Sequence, residues 1–213
     1  FPEECYQGNY IYDIAQILVD KYAEQLLDDK ENKLFKEIAE QHIFNDIKNT
    51  LKKLGIKFDD FFNEDSLYEN KAIFEVIESL KNKNLIYEKD GATWFEGTKV
   101  GRNADRVLIK STGEPTYRLP DIAYHKNKFD RNFDLIIDVF GADHMDSYPD
   151  VLVALEQLDY NMDKMTVLIH QFATITENGA SVKMSTRKAI FITLDELMNE
   201  AGIDVVRYFF LMR

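Results

Sequence analysis

A chain of 213 residues with 45% hydrophobic content can bury a sizeable core, and its length allows one large domain or two small ones. A formal charge of −12 argues against a general nucleic-acid or membrane binder, whose affinity would rest on a wide basic surface; a local basic site stays open. The lone Cys5 excludes an internal disulfide and a thiolate zinc cluster, which fits a reducing, cytoplasmic compartment. No apolar run is long enough to span a bilayer, and the opening "FPEE" is no signal peptide. The chain also starts without methionine, and the expectation is a piece of something longer, although tag removal or processing leaves the same start.

The first third reads as helix. Ile11, Ile14, Ala15, Leu18, Tyr22 and Leu26 recur at helical spacing, as do Phe35, Ile38, His42, Ile47, Leu51 and Leu54 before a stop at Gly55. His42 lies on that stripe, which predicts a packed core histidine rather than a ligand. A third helix is expected to open with a capping box, Ser66-Leu67-Tyr68-Glu69, and to continue through Ile73, Val76, Ile77 and Leu80. From Leu85 the pattern changes to hairpins: "LIYEKDGATWF" turns at Asp90-Gly91 and "RVLIKSTGEPTYRL" at Thr112-Gly113.

Pro120 to Phe129 can form a helix. "DLIIDVF" is then a nearly continuous apolar strand, "PDVLVALEQL" a helix with Pro149 in its first turn, and "MTVLIH" a second strand. Strand, helix, strand with such apolar runs predicts a parallel sheet buried on both faces, hence an α/β fold. Two helices close the chain, one capped by Thr193-Leu194-Asp195-Glu196 and one from Asp204, with Gly202 between them.

In an open α/β sheet, ligands bind beyond the carboxyl ends of the strands. After "DLIIDVF" comes Gly141-Ala142-Asp143-His144, where glycine lets a ligand approach the backbone, Asp143 can accept from ribose hydroxyls, and His144 can donate or accept. Taken alone, "GADH" reads better as a tight turn. Tyr117 and Asp121 lie four residues apart around a helix start, so a phenol and a carboxylate can face one cavity, a pairing that suits a guanidinium. On spacing alone, Asp121 as a helix cap and Tyr117 as core is the commoner outcome. The third cluster is "VKMSTRK", residues 182–188, which crowds cations and hydroxyls after the turn signal Asn178-Gly179 and suits triphosphate oxygens on a loop. Short basic clusters are more often solvated patches. The sequence has no GxxxxGK, GxGxxG, HExxH or GxSxG motif.

In this order the three clusters resemble the second half of the catalytic domain of a class I aminoacyl-tRNA synthetase, in particular the arginyl-tRNA synthetase family. "YQGNYIYDIA", the segment from "DGATWF" to "TYRLPDIAYHKNKF", "IIDVFGADHMD", "VKMSTRK" and "DVVRYFFLMR" are all similar to that family, so the resemblance covers nearly the whole chain. "TYRLPDIAYH" resembles the family's arginine-recognition segment, whereas "VKMSTRK" resembles the KMSKS loop shared by the whole class. The resemblance implies a partial Rossmann-like nucleotide fold, its second half with parallel strands, carrying an N-terminal helical insertion and antiparallel hairpins. The implied segments are a helical insertion over 1–84, hairpins over 85–118, the second half of the nucleotide fold over 119–200, and the start of a helical region over 201–213.

It further implies ATP with Mg2+ as a substrate complex, no tightly bound cofactor or resident metal, arginine and tRNA(Arg) as partners, no membrane, and a monomeric parent. Asp121 would hold the substrate guanidinium, with Tyr117 lining the pocket and His144 closing it. Gly141 and Asp143 would approach the adenosine. Lys183, Met184 and Ser185 would close over ATP, with Lys183, Ser185 and Arg187 as the candidate catalytic groups.

Two features depart from the family pattern. The second lysine of KMSKS is Thr186 here, so Arg187, Lys188 or a cation outside the chain would have to supply that charge. None of His42, His125, His144 and His170 stands in a HIGH-like motif, and the expectation is therefore a fragment that does not activate arginine alone. A non-catalytic synthetase-like module that binds a nucleotide or a partner is the alternative, and an unrelated nucleotidyltransferase ranks third because it leaves the pairing of Tyr117 with Asp121 unexplained.

Overall fold

The computed structural model describes residues 5, 7–28, 33–171, 176–177, 180–181 and 192–212, the backbone alone at 176–177 and 180–181. They fall into two units, Phe1–Asp60 with Thr174–Arg213, and Phe61–Ala173, a division that cuts across the segments drawn from the sequence. In the first unit, α1 (Tyr10–Tyr22) buries Ile14 and Leu18 four residues apart, as its stripe predicts. α2 (Lys33–Lys53) behaves differently. It buries only Thr50, and His42 is exposed, so the expected core histidine is a surface residue. The spacing of the stripe is helical, but its Phe35 and Ile47 are exposed while Leu54 at its end is buried, so period alone did not settle burial along it.

In the second unit, the single helix expected from Ser66 to Leu80 is two, α3 (Asp65–Glu69) and α4 (Ala72–Asn82). Lys71 between them is left-handed, with φ 64°, and the Asn70 side chain accepts from the amide of Ala72 at 3.0 Å. The expected capping box is absent, since Ser66 lies inside α3 and its hydroxyl donates to the Asn63 carbonyl instead. α4 buries Ile73, Val76 and Leu80.

β1 (Ile86–Lys89) and β2 (Ala92–Phe95) pair antiparallel around Asp90 and Gly91, whose φ values of 52° and 73° mark a type I′ turn. β3 (Arg106–Ile109) adds to β2, with a register shift between Thr93 and Trp94. The return arm expected after Gly113 is only a bridge, Ile109 to Pro115, because the chain turns into α5 (Arg118–Asp130). β4 (Ile136–Gly141) and β5 (Met165–His170) then pair in parallel, connected through α6 (Tyr148–Gln157) with Pro149 in its first turn. Leu80, Phe95, Leu108, Leu119, Ile122 and Leu155 form the centre of the core, joining α4, α5 and α6 to the three-stranded sheet.

The parallel sheet departs from expectation on one face. Ile136 and Asp138 are buried, but Ile137 and Val139 are 53% and 63% exposed, so β4 alternates where burial on both faces was expected. Back in the first unit, β6 (Thr176–Glu177) and β7 (Ala180–Ser181) pair antiparallel, bracketing Asn178-Gly179, which lies outside the described residues. α7 (Leu194–Ala201) carries the expected capping box: the Glu196 amide donates to Thr193 Oγ1 at 3.1 Å, and the Thr193 amide to Glu196 Oε2 at 2.7 Å. α8 (Ile203–Leu211) follows Gly202, and Leu54, Met198 and Val206 make this unit's small core. Beside it, Asp195 of α7 accepts from Thr50 and, at 2.5 Å, from Lys53, both on α2.

Two buried carboxylates tie the second unit together. Asp138 on β4 accepts from His125 Nε2 and from Lys128 Nζ, both at 2.6 Å and both on α5. Asp150, 2% exposed in the first turn of α6, receives Arg102 Nε and Arg106 Nε at 2.8 Å and Arg118 Nε at 3.1 Å. Burial pushes both carboxyls up, yet the hydrogen bonds from these cations outweigh it and hold both below the ordinary aspartate range.

A folded-state value below the unfolded one contributes stability that is present above the unfolded value of about 3.9 and lost as pH falls through the folded value. We therefore expect Asp150→Asn to lower the unfolding free energy of this unit by about 3 kcal/mol at neutral pH. That difference should shrink as the medium is acidified below about pH 4. Urea titrations followed by the fluorescence of Trp94, the one tryptophan in the chain, would check both.

Candidate active site

α5 opens at Arg118, two residues before the expected start, so Pro120 falls in the first turn, where its missing amide has no helical partner to lose. Tyr117 is the residue before the helix, and its carbonyl accepts from the Asp121 amide at 3.2 Å. The two side chains therefore stand one turn apart on one face, as their spacing predicts. Tyr117 is 57% exposed, which makes it surface rather than core, and the Arg118 guanidinium lies over its ring at 4.7 Å.

Asp121 is half-buried. Burial pushes its carboxyl above the ordinary aspartate value, against the pull of His125, His144, Lys128 and Arg118. Three of those four cationic groups are bonded to other carboxylates: His125 and Lys128 to Asp138, and Arg118 to Asp150. No group among the described residues is hydrogen-bonded to the Asp121 carboxylate. It is thus a carboxylate in a cation-rich setting whose neighbours are already engaged, and the arrangement can take an added cation from outside.

His125 connects this helix face to the sheet. Its Nδ1 lies 2.7 Å from the Asp121 carbonyl and its Nε2 2.6 Å from Asp138 Oδ2. Both facing atoms are acceptors and Asp138 also receives Lys128, so the imidazolium, with two N–H donors, satisfies the whole arrangement. Lys128 in turn lies over the Tyr124 ring at 4.5 Å.

At the carboxyl end of β4, Gly141 has extended backbone, φ −70° and ψ 160°, so its role is spatial rather than conformational. A Cβ there would sit 2.6 Å from Asp143 Oδ1, so the space freed by glycine is occupied by the carboxylate two residues on. Asp143 and His144 are both exposed, in a single 3-10 turn. The His144 ring stacks on Phe140 at 5.1 Å and 19°, and Phe140 lies 6.3 Å from His125. Asp121, His125, Phe140 and His144 thus form one continuous line across α5 and the end of β4.

The structure brings Tyr117, Asp121, Gly141, Asp143 and His144 onto this helix-and-strand frame. Lys183, Met184, Ser185 and Arg187, and the Thr186 question with them, lie outside the described residues. Sequence reasoning missed Asp138, His125 and Lys128, and the arginines around Asp150. A signal for the first existed: an aspartate inside the apolar run "LIIDVF" needs a buried partner, and "AYHKNK" offers two cations on one helical face.

A family model described as the catalytic domain of class I tRNA synthetases (R) matches residues 9–207. Among curated relatives, an arginine–tRNA ligase of Desulfotalea psychrophila is 58% identical over 213 residues, covering 100% of this chain and 39% of the relative. Another, of Chlorobium phaeobacteroides, is 50% identical over 218 residues, again covering 100% and 39%. The chain thus spans about two fifths of the length of the curated relatives it matches.

Among solved structures, one assigned as an arginyl tRNA synthetase from Campylobacter jejuni superposes with a TM-score of 0.86 at 32% identity, over 100% of this chain and 46% of that one. The Thermus thermophilus arginyl-tRNA synthetase, at 18% identity and a TM-score of 0.66 over 92% and 41%, shares the fold. With the model match extending over nearly every described element, including the frame that carries Asp121 and His144, the chain belongs to the class I tRNA synthetase (R) catalytic-domain family.

Proposed function

We propose that the protein is part of an arginine–tRNA ligase and that Tyr117, Asp121 and His144 form its arginine pocket. The supporting observation is the state of Asp121: half-buried, its carboxyl raised by burial, and close to His125, Lys128 and Arg118, which are bonded to other carboxylates. A guanidinium meets that need with a planar pair of N–H donors that a carboxylate accepts side by side. Neutral amino acids would leave the carboxylate without a cation, and the lysine ammonium lacks the planar fork.

In this reading the arginine carboxylate oxygen attacks the α-phosphorus of ATP, the bond to the β-phosphate oxygen breaks, and pyrophosphate leaves. The 2′-hydroxyl of the terminal adenosine of the tRNA then attacks the carbonyl carbon of the adenylate, and AMP departs as the hydroxyl proton is released. Asp121 and Tyr117 fix the side chain so that the carboxylate is held near the phosphorus. Gly141 and Asp143, at the carboxyl end of β4, lie where an α/β sheet receives a nucleotide. Lys183, Met184, Ser185 and Arg187 act on the triphosphate, with magnesium arriving as part of the ATP substrate, and the cations among them stabilise charge on the transferring phosphoryl group. No covalent intermediate with the protein is involved. Segments 1–84, 85–118, 119–200 and 201–213 serve in turn as helical insertion, hairpin region, second half of the nucleotide fold and lead into a helical domain.

Calorimetry with arginine tests the pocket. Asp121→Ala should weaken arginine binding by roughly 100-fold or more, since the guanidinium loses its buried partner. In the unsubstituted protein, affinity should be flat above the raised Asp121 titration and fall about tenfold per pH unit below it, because the cation requires the ionised carboxylate. Binding that is indifferent to both changes would sink the assignment, and no arginine binding at all would favour a non-catalytic module. A second measurement addresses catalysis. The 213-residue chain alone is expected to give no arginine-dependent ATP–pyrophosphate exchange with or without tRNA, because its histidines supply no HIGH-like motif, and robust turnover would overturn that expectation.

A further inference from the structure

The arginine cluster around Asp150 has more charge than its own structure requires. Arg102 comes from the turn after the 3-10 segment Gly97–Val100, Arg106 opens β3, and Arg118 opens α5. All three converge through Nε on one carboxylate. No other carboxylate lies within ion-pair distance of these guanidiniums among the described residues, so three positive charges share one negative charge. One arginine would neutralise Asp150, and the second and third add mutual repulsion. This surplus stands in a chain whose formal charge is −12.

The cluster is preorganised and reachable. Asp150 is almost wholly buried, whereas the three arginine side chains are 18–28% exposed. The turn that presents Arg102 is fastened by Asp105, which accepts from the Thr98 amide at 2.9 Å, the Thr98 hydroxyl at 2.7 Å and the Tyr87 hydroxyl at 2.9 Å. Gly97 allows the turn to close, since a Cβ there would sit 2.9 Å from the Ala104 carbonyl and 3.2 Å from Arg102 Cβ. Arg118 also lies over Tyr117, so the cluster adjoins the proposed arginine pocket.

We propose that Arg102, Arg106 and Arg118 form a docking point for a phosphate oxyanion, and that the phosphate belongs to the backbone of the tRNA. Guanidiniums match phosphate oxygens with paired N–H donors, and a buried carboxylate that holds them in place removes the ordering cost of gathering them at the moment of binding. The tRNA as source rests on the ligase reading above, in which the ATP phosphates are assigned to residues 182–188. Free pyrophosphate carries the same chemistry and is the competing source.

The test uses the full-length protein without arginine or ATP, so that it does not depend on ligation. Arg102→Gln and Arg106→Gln are made separately, each leaving two arginines on Asp150 so that the buried carboxylate stays paired. Binding of a tRNA(Arg) transcript is followed by fluorescence anisotropy between about 50 and 200 mM salt, with inorganic pyrophosphate as competitor. Each substitution should weaken RNA binding several-fold and flatten the slope of log affinity against log salt by about 0.7 to 0.9 for every phosphate no longer neutralised, while Arg102→Lys or Arg106→Lys should restore most of the slope. An unchanged affinity and slope would overturn the proposal, as would loss of pyrophosphate competition with RNA binding intact. Cluster-dependent RNA binding by a full-length protein that charges no arginine would remove the ligase reading and leave the docking point standing.

Discussion

The site depends on one buried carboxylate. Asp138 stands in an otherwise apolar strand, and its charge can stay there only with cations bonded to it. His125 and Lys128 supply them from one face of α5, three residues apart, so α5 can meet β4 in only one rotational setting. His125 also donates its other N–H to the carbonyl of Asp121, one turn earlier. The orientation of α5 is thereby set by the strand whose carboxyl end carries Gly141, Asp143 and His144.

The same tie explains why Asp121 differs from its neighbours. Asp138 and Asp150 are each nearly inaccessible, yet their carboxyls lie below the ordinary value, because they receive two and three cationic donors respectively. Asp121 is less deeply placed, yet its carboxyl is raised. Depth therefore does not decide the direction; the allotment of cations does. The two structural carboxylates take up His125, Lys128 and Arg118, leaving the third with no hydrogen-bonded cation among the described residues.

Features encoded within a few residues were legible in the sequence. The type I′ turn at Asp90 and Gly91, the capping box at Thr193, the proline in the first turn of α6 and the one-turn spacing of Tyr117 and Asp121 all follow from local chemistry. Apart from the capping box expected at Ser66, what escaped was nonlocal or one-sided. Asp150 meets Arg102, Arg106 and Arg118 across 48, 44 and 32 residues, a convergence that no motif spacing encodes. The helical stripe of α2 has the right period, but period does not say whether another surface meets it, and His42 stayed exposed. The apolar run of β4 predicted burial on both faces, whereas its burial alternates and Asp138 occupies the buried side.

A strongly acidic chain that belongs to a tRNA synthetase family faces an electrostatic difficulty toward any anionic ligand, because a uniformly negative surface repels anions. Spreading lysines over the surface is one remedy, but each exposed cation is screened by salt and held in no fixed place. Asp150 illustrates another: a buried carboxylate gathers three arginines at one point and orients them while the chain as a whole stays negative. Asp138 does the same with His125 and Lys128, except that the gathered cations turn inward and fasten α5 to β4. In both cases the acidic residue organises positive charge, and net charge read from composition is therefore a poor guide to the sign of the potential at the site.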